Sequence, residues 1–420
     1  MNTRLTIVKI LIDVFKNNKF SNVLINKLFK NSNPNDEQDL NFIVNCVYGT
    51  IQNKLYFEEI ASQFINIKKT KIEAQIILFE ALYEKIVLDK PDYAIVNNSV
   101  ETTKKINFHL SGLINKVLKN IFTNLETLKT LSWIKDEDKK NMIKNSMPLW
   151  LGQKIIDQYG KETFLKLAND INRTPNNYFI INFKLITKTE FMNKYQAQYN
   201  IVPSLLSNEV YFMNNSVVKT EFFKNNEIYI QDVTSTLAIK KLALKNESII
   251  LDMCCAPGGK SVVASMFSNK SKIIANDINE TKKNLIIENF KKAKIENYEL
   301  IIGNALELDE SQLYDAIILD APCSGYGLIK RKPETRYHEI TNDYQDLLML
   351  QSKLLEKAYK LLKVNGKLVY STCTIFKEEN DNQINNFSKK YSNMKIEYQQ
   401  QFFGFEENNN GFFICVMIKN

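Results

Sequence analysis

The chain has 420 residues, more than one hydrophobic core ordinarily holds, so we expect two or three domains. Its apolar fraction of 44% and charged fraction of 24% are those of an ordinary soluble globular protein. The net charge of +8 allows a polyanionic partner but does not require one, because a merely soluble basic surface would give the same number.

The composition argues against a membrane protein and against a metalloprotein. Charges interrupt the apolar residues of the stretch MNTRLTIVKILIDVFKNNKF, and no other segment offers about 18 uninterrupted apolar residues. We therefore expect a cytosolic protein without a membrane span. Six cysteines in no CxxC pair and only two histidines argue against a zinc site. Disulfides are not expected in a reducing compartment, so thiol chemistry remains as a role for the cysteines.

The first 125 residues predict a compact all-helical domain. Apolar residues recur at helical spacing, as Ile7, Leu11 and Val14 do at i, i+4 and i+7. About seven helices and no convincing strand are expected there. Residues 126–140 end in the charged run KDEDKK and are predicted to be a linker.

The rest of the chain predicts a small mixed domain followed by a larger α/β domain. Residues 141–230 combine a helical stretch, IIDQYGKETFLKLAND, with the strand-like runs NNYFIINF and NEVYFMN, which indicates an α+β subdomain. Residues 231–420 alternate apolar strands with helices, which predicts a doubly wound α/β domain with a parallel sheet. The predicted strands are 248–253, 272–277, 298–304, 314–321 and 366–373, with two more in MKIEYQQQFF and GFFICVMIKN.

A glycine-containing loop, DMCCAPGGKS, follows the first strand of this domain. Gly258 and Gly259 allow a ligand to approach the backbone closely and open the next helix. Asp277 ends the second strand, where a carboxylate can bind the ribose hydroxyls of an adenosine-type cofactor. The loop matches neither GxGxxG nor a P-loop, and a tight strand-to-helix turn without a ligand would also explain its glycines.

Two cysteines follow strands of the same domain. Cys323 lies in LDAPCSGYGLIKRK after the fourth strand, and Cys373 in KLVYSTCTIF at the end of the fifth. Ligands of open parallel sheets bind at the carboxyl ends of the strands, and we expect these two strands to be neighbours. The two thiols should therefore lie close together. Cys46 and Cys415 stand in apolar runs and are expected to be inert core residues.

The motifs DMCCAPGGKS, LDAPCSGYGLIKRKPETRY and LVYSTCTIFKEEN together resemble the S-adenosylmethionine-dependent RNA cytosine-5 methyltransferases, over about residues 140–420. The resemblance implies a Rossmann-like class I methyltransferase fold with S-adenosylmethionine as cofactor. The helical domain in front resembles the RNA-binding NusB fold. That combination resembles the members of the family that modify small-subunit ribosomal RNA, with an α+β subdomain that also binds RNA.

The resemblance implies a role for each motif residue. Cys373 would add to carbon 6 of cytosine, and Cys323 would assist loss of the carbon 5 proton or release of Cys373. Asp320 would contact the polar edge of the base and the cofactor pocket. Asp277 would hold the ribose, and Asn304, where the family usually has Asp, the adenine amino group. The cofactor loop would consist of Cys254, Cys255, Ala256, Pro257, Gly258, Gly259 and Lys260.

Basic residues crowd the segment after Cys323. We expect Lys330, Arg331, Lys332 and Arg336 to bind RNA phosphates, although such a run could also be a solvated surface.

The sequence thus predicts a monomeric enzyme that forms 5-methylcytosine in small-subunit ribosomal RNA, without a membrane or metal requirement. Two alternatives stay open. One is a transfer RNA cytosine-5 methyltransferase, and the other is a non-catalytic RNA-binding factor of ribosome assembly.

Overall fold

The structure is a computed structural model and describes residues 2–32, 36–213, 216–268, 270–341 and 343–420. The chain divides into two compact units. The first consists of Met1–Asn172 together with Ile329–Glu339, and the second of Arg173–Leu328 together with Ile340–Asn420. This division differs from the predicted domain bounds, because residues 141–172 and a short segment after Cys323 belong to the first unit.

The first unit is helical, as predicted. Its core consists of aliphatic and aromatic residues such as Ile7, Leu11, Phe57 and Leu82, all fully buried. The α-helices are α1 (Thr3–Asn17), α2 (Ser21–Lys30), α3 (Glu37–Gln52), α4 (Lys54–Ser62), α5 (Ile72–Ile86), α6 (Asp92–Asn107), α7 (Ser111–Thr123), α8 (Leu125–Leu128), α9 (Glu137–Lys144) and α10 (Leu149–Asp170). Short 3-10 helices span Ile67–Lys69, Phe108–Leu110 and Pro333–Tyr337.

The predicted linker, residues 126–140, is part of this helical core. Leu128, Leu131 and Ile134 pack into the same cluster as the residues of α1 to α7. The Asp136 side chain accepts a hydrogen bond from the backbone N–H of Lys139 and so begins α9. The linker prediction is therefore wrong, because the charges of KDEDKK lie at a helix start while the apolar residues before them are buried.

The second unit begins with a small antiparallel sheet in the strand order β2-β3-β1-β4. Its core is aromatic, with Phe179, Phe191, Tyr195 and Phe222 in mutual contact. The predicted α+β character is confirmed for the part of 141–230 that lies in this unit. The elements are β1 (Asn177–Ile181), α11 (Lys188–Tyr195), β2 (Val202–Pro203), β3 (Val210–Met213), a 3-10 helix (Val217–Lys219), α12 (Glu221–Lys224) and β4 (Ile228–Ile230).

The larger part of the second unit is a seven-stranded sheet with helices between its parallel strands, as predicted. The strand order is β10-β11-β9-β8-β5-β6-β7, and β11 runs antiparallel to both of its neighbours. The strands are β5 (Ile249–Asp252), β6 (Lys272–Asp277), β7 (Tyr298–Ile302), β8 (Tyr314–Asp320), β9 (Leu362–Thr372), β10 (Met394–Phe402) and β11 (Phe412–Lys419). The helices are α13 (Val233–Lys241), α14 (Gly259–Phe267), α15 (Lys283–Lys292), α16 (Asp343–Leu361) and α17 (Asp381–Lys390), with 3-10 turns at Glu280–Lys282 and Ala305–Glu307.

The strand order places a topological switch point beside β5. From β5 the chain proceeds outward through β6 and β7, and it then returns to the other side of β5 with β8 and β9. Crevices at such points, outside the carboxyl ends of the strands, are where open α/β sheets bind ligands. Within the described ranges, no helix has the length and apolar character needed to cross a membrane.

Candidate active site

The two cysteines meet at the carboxyl ends of β8 and β9. These strands are parallel neighbours, and Asp320 is opposite Ser371 in their register. The Sγ atoms of Cys323 and Cys373 lie 3.1 Å apart, which confirms the predicted juxtaposition. The hydrogen bond with Cys373 and burial raise the pKa of the Cys323 thiol well above its usual value. Cys323 therefore keeps its proton and can donate it toward the second sulfur.

A lysine–carboxylate pair lies at the same edge of the sheet. The Nζ atom of Lys260 is 2.7 Å from Oδ2 of Asp320, and the Ser371 hydroxyl donates to Oδ1 at 2.8 Å. The Lys260 side chain is only 10% exposed, and its ammonium lies 5.1 Å from the centre of the Phe412 ring. The sequence indicated Lys260 only as a member of the cofactor loop. A site with both a donor and an acceptor can recognise the polar edge of a base.

The loop after β5 turns tightly into α14, and its two glycines are buried. Gly258 has φ +99°, a conformation that favours glycine, and α14 begins at the next residue. A Cβ atom at Gly258 would lie 2.9 Å from the Phe290 ring. The Cys255 N–H donates to the carbonyl of Asn276, which ties the loop to β6. The thiols of Cys254 and Cys255 are buried enough that their pKa values are raised, so neither is suited to act as a thiolate.

Asp252, the last residue of β5, is a site residue that sequence reasoning did not single out. It is 1% exposed, and its Oδ2 accepts a hydrogen bond from the Ser261 hydroxyl at 2.6 Å. Its Oδ1 is buried without a hydrogen-bond partner in the described part of the chain. A ligand with an N–H donor would satisfy this oxygen, and the ammonium of S-adenosylmethionine is such a group. The residues here therefore fit the predicted cofactor.

Burial raises the pKa of Asp252 to about 7, and this has a consequence for stability. Because the unfolded pKa is near 3.8, the folded protein binds the extra proton, and stability should fall as pH rises from about 4 to about 7. Asp252→Asn imitates the protonated form and should remove this loss. We expect the variant to gain roughly 2–4 kcal/mol over the wild type between pH 5 and pH 8.

Calorimetric melting of the cofactor-free proteins across this pH range measures the difference. Asp309→Asn, at an exposed position outside the sheet edge, is the matched control and should show no such gain. If the melting temperatures of the wild type and of Asp252→Asn change with pH in parallel, the prediction is wrong.

Asp277 and Asn304 stand at the ends of the next two strands, as predicted. Both Asp277 oxygens accept backbone hydrogen bonds at 2.9 Å, from the N–H groups of Ala256 and Asn279. This carboxylate therefore shapes the cofactor loop. The Asn304 oxygen accepts from the N–H of Leu306, so that the side chain caps a short 3-10 helix. Contacts of these two residues with the ribose and the adenine stay predictions.

The basic residues after Cys323 belong to the first unit, and two of them are buried. Lys330 is 6% exposed and forms an ion pair with Asp170. Arg336 is 0% exposed, and its guanidinium donates to Asn172 Oδ1 at 2.8 Å and to the carbonyls of Ile329 and Ile171. Neither side chain can reach an RNA phosphate in this structure, so the predicted RNA contact does not hold for these two.

The other two basic residues differ from this pair. Arg331 is exposed and Lys332 is half-buried, with its ammonium 5.7 Å from the centre of the Phe20 ring. An RNA contact stays a prediction for Arg331 and Lys332.

Comparison with known proteins agrees with this geometry. Residues 239–417 match the family "16S rRNA methyltransferase RsmB/F", and residues 1–123 match the NusB family. A Bacillus subtilis (strain 168) protein described as "probable ribosomal RNA small subunit methyltransferase B" is 30% identical over 97% of each chain. A Pasteurella multocida (strain Pm70) "ribosomal RNA small subunit methyltransferase B" is 28% identical over 86% of this chain and 81% of its own.

A solved structure shares the fold. The crystal structure of PH0851 has a TM-score of 0.80 and 20% identity, and the match covers 100% of this chain and 99% of that one. Together with a relative that is 30% identical along nearly its whole length, the two family matches establish the family. The chain belongs to the RsmB/F family of S-adenosylmethionine-dependent RNA methyltransferases, with a NusB domain in front.

Proposed function

We propose that this enzyme methylates carbon 5 of a cytosine in small-subunit ribosomal RNA, in the cytoplasm, through a covalent bond to Cys373. The observation that carries the proposal is the pair of thiols 3.1 Å apart, beside the ion pair of Lys260 and Asp320. The descriptions of the matching family and of the curated relatives support ribosomal RNA as the substrate. A non-catalytic assembly factor would have no use for this arrangement.

The thiol pair suits a reaction in which carbon 5 must first be made nucleophilic. The Cys373 thiolate adds to carbon 6, and the electrons of the 5,6 double bond become available at carbon 5. Carbon 5 then forms a bond to the methyl carbon while the bond from that carbon to the cofactor sulfur breaks. The carbon 5 proton passes to solvent water, and the electrons of its bond restore the 5,6 double bond. The bond between carbon 6 and Cys373 Sγ breaks at the same time, and its electrons return to the sulfur, beside which the Cys323 thiol can donate a hydrogen bond.

S-adenosylmethionine, when bound, supplies the methyl group on a positively charged sulfur. In this proposal, the chain holds it through the loop after β5 and the carboxylates at two strand ends. The Gly258 loop would line the cofactor, the buried Asp252 oxygen would accept an N–H, and the Asp277 carboxylate lies beside the same loop. Each of these groups binds or orients the cofactor without taking part in bond making.

In the proposed reaction, Lys260 and Asp320 bind and polarise the base. The Asp320 carboxylate can accept a hydrogen bond from the exocyclic amino group, and the Lys260 ammonium can donate to a ring nitrogen or oxygen. Positive charge at the ring edge makes carbon 6 more electrophilic when the thiolate adds. The cytosine must be unstacked or single-stranded to reach this edge of the sheet.

Bisulfite sequencing of ribosomal and transfer RNA, from cells with and without the active enzyme, tests this function. One cytosine of small-subunit ribosomal RNA should resist conversion only when the enzyme is present. A protected cytosine in transfer RNA alone would overturn the proposed substrate, and methylation at another atom would overturn the proposed chemistry.

Replacing Asp277 with alanine should weaken cofactor binding by about 1–3 kcal/mol, because a charge-assisted bond to the ribose and the support of the loop are both lost. Titration calorimetry with S-adenosylhomocysteine measures the effect on the full chain. Asp309→Ala, which removes an exposed carboxylate outside the site, is the matched control. An affinity change below twofold for Asp277→Ala would argue against the ribose contact.

A further inference from the structure

A buried acid and a buried amide follow Cys373, and the chemistry above does not use them. Glu379 and Asn380 precede α17, and both are 0% exposed. Burying a carboxylate costs free energy unless it is well satisfied. In the described residues, the side chain of Glu379 is hydrogen-bonded only to uncharged groups. These hydrogen bonds satisfy the buried acid, and they show which segments it holds in place.

Glu379 holds the loop that carries Cys323. Its Oε2 accepts from the Ser324 backbone N–H at 2.9 Å, and its Oε1 accepts from the Ser324 hydroxyl. The Gln351 amide donates to the same Oε2 at 2.9 Å and to the carbonyl of Pro322 at 2.9 Å. The residues on both sides of Cys323 are therefore fixed by one carboxylate and its amide neighbour.

Asn380 holds Cys373 in the same way. Its Oδ1 accepts from the Thr372 hydroxyl at 2.6 Å, and its Nδ2 donates to the carbonyl of Thr374 at 3.1 Å. A further bond to Gln401 Oε1, at 2.7 Å, fixes the Asn380 amide itself. Both neighbours of Cys373 in the chain are thus bound to one side chain.

Two adjacent residues therefore bind the chain neighbours of two different thiols. We propose, resting on the covalent mechanism above, that Glu379 positions Cys323 for the release step and Asn380 positions Cys373 for the attack. A displacement of a reacting group by about 1 Å can cost about 10²-fold in rate. Each residue should accordingly affect its own step and leave the other step nearly intact.

Variants of the full-length enzyme separate the two roles. Glu379→Gln should transfer one methyl group per enzyme and accumulate the protein–RNA adduct at least tenfold over the wild type, as Cys323→Ala is expected to do. Ser324→Ala, a milder change to the same contact, should act in the same direction. Asn380→Ala should instead slow adduct formation at least tenfold without accumulation. The fraction of enzyme held as adduct is counted on denaturing gels, relative to folded protein.

Asp315→Asn is the matched control. Asp315 is a partly buried carboxylate that accepts a backbone N–H, from Ile249 at 2.8 Å, at the opposite end of β8. The Asp315→Asn variant should show the same adduct level as the wild type. If Cys323→Ala accumulates adduct while folded Glu379→Gln and Ser324→Ala do not, the positioning proposal is wrong and the proposed function stands. If Cys323→Ala accumulates none, the roles assigned to the two thiols are wrong, and the positioning proposal fails with them.

Discussion

Cys373→Ala should abolish methyl transfer and the covalent adduct together, with activity falling about 10⁴-fold or more. Its sulfur is the group proposed to add to carbon 6, and alanine offers no replacement. Cys323 cannot easily substitute for it, because burial raises the pKa of the Cys323 thiol even without the hydrogen bond to Cys373. The fold should tolerate the change, since Cys373 is only partly buried and the removed atom leaves a small gap.

Cys323→Ala should block the last step of the reaction, in which the methylated RNA is released from Cys373. Attack and transfer stay possible, but the proton that Cys323 supplies to the departing Cys373 sulfur is lost. We expect multiple turnover to fall by about 10²–10³-fold and a methylated protein–RNA adduct to accumulate. Each enzyme molecule should transfer one methyl group in an initial burst, and turnover should then stop.

Denaturing gels with cofactor-labelled RNA distinguish the two variants, because only a covalent complex survives the denaturant. Cys415→Ala is the control for loss of a sulfur, since Cys415 is fully buried in β11 and takes no part in the reaction. It should keep wild-type turnover. A trapped adduct in Cys373→Ala and none in Cys323→Ala would reverse the assignment of the two thiols.

The position of the site was predictable because it depends on topology more than on side-chain detail. Apolar strands separated by helices predict a parallel sheet, and parallel strands present their carboxyl ends at one edge. That rule brings the Gly258 loop, Cys323 and Cys373 to the same place although more than a hundred residues separate the first from the last. The seven-stranded sheet and the 3.1 Å sulfur distance confirm this part.

Side-chain pairing within the site was not predictable in the same way. Lys260 and Asp320 lie sixty residues apart, and nothing in their spacing shows that the lysine points at the acid. Asp252 ends a strand, as Asp277 does, but only the structure shows that one of its oxygens is buried without a partner in the described residues. Pairing depends on the direction of each side chain, which local patterns do not determine.

The basic segment illustrates the limit of interpreting charge alone. Lys330, Arg331, Lys332 and Arg336 have the same formal charge, yet two are buried and bound to protein acceptors. Burial is set by tertiary contacts with residues more than 150 positions away. A charge run therefore predicts RNA contact only where its side chains remain accessible.

Arg336→Met should destabilise the first unit by about 1–3 kcal/mol, because the change leaves buried acceptors without a donor. The guanidinium bonds to Asn172 Oδ1 at 2.8 Å and to the carbonyls of Ile329 at 3.1 Å and Ile171 at 3.2 Å. Methionine fills a similar volume but donates nothing. Arg336→Lys should recover little of this lost stability, since an ammonium cannot donate to all the acceptors that the planar guanidinium binds together.

Urea unfolding followed by tryptophan fluorescence measures this change selectively, because both tryptophans of the chain, Trp133 and Trp150, lie in the first unit. Arg331→Met, an exposed position in the same segment, is the matched control and should change stability by less than about 0.5 kcal/mol. Binding of folded protein to RNA, measured alongside, should weaken for Arg331→Met and stay unchanged for Arg336→Met. If Arg336→Met unfolds at the same urea concentration as the wild type but binds RNA more weakly, Arg336 leaves its buried position to bind RNA.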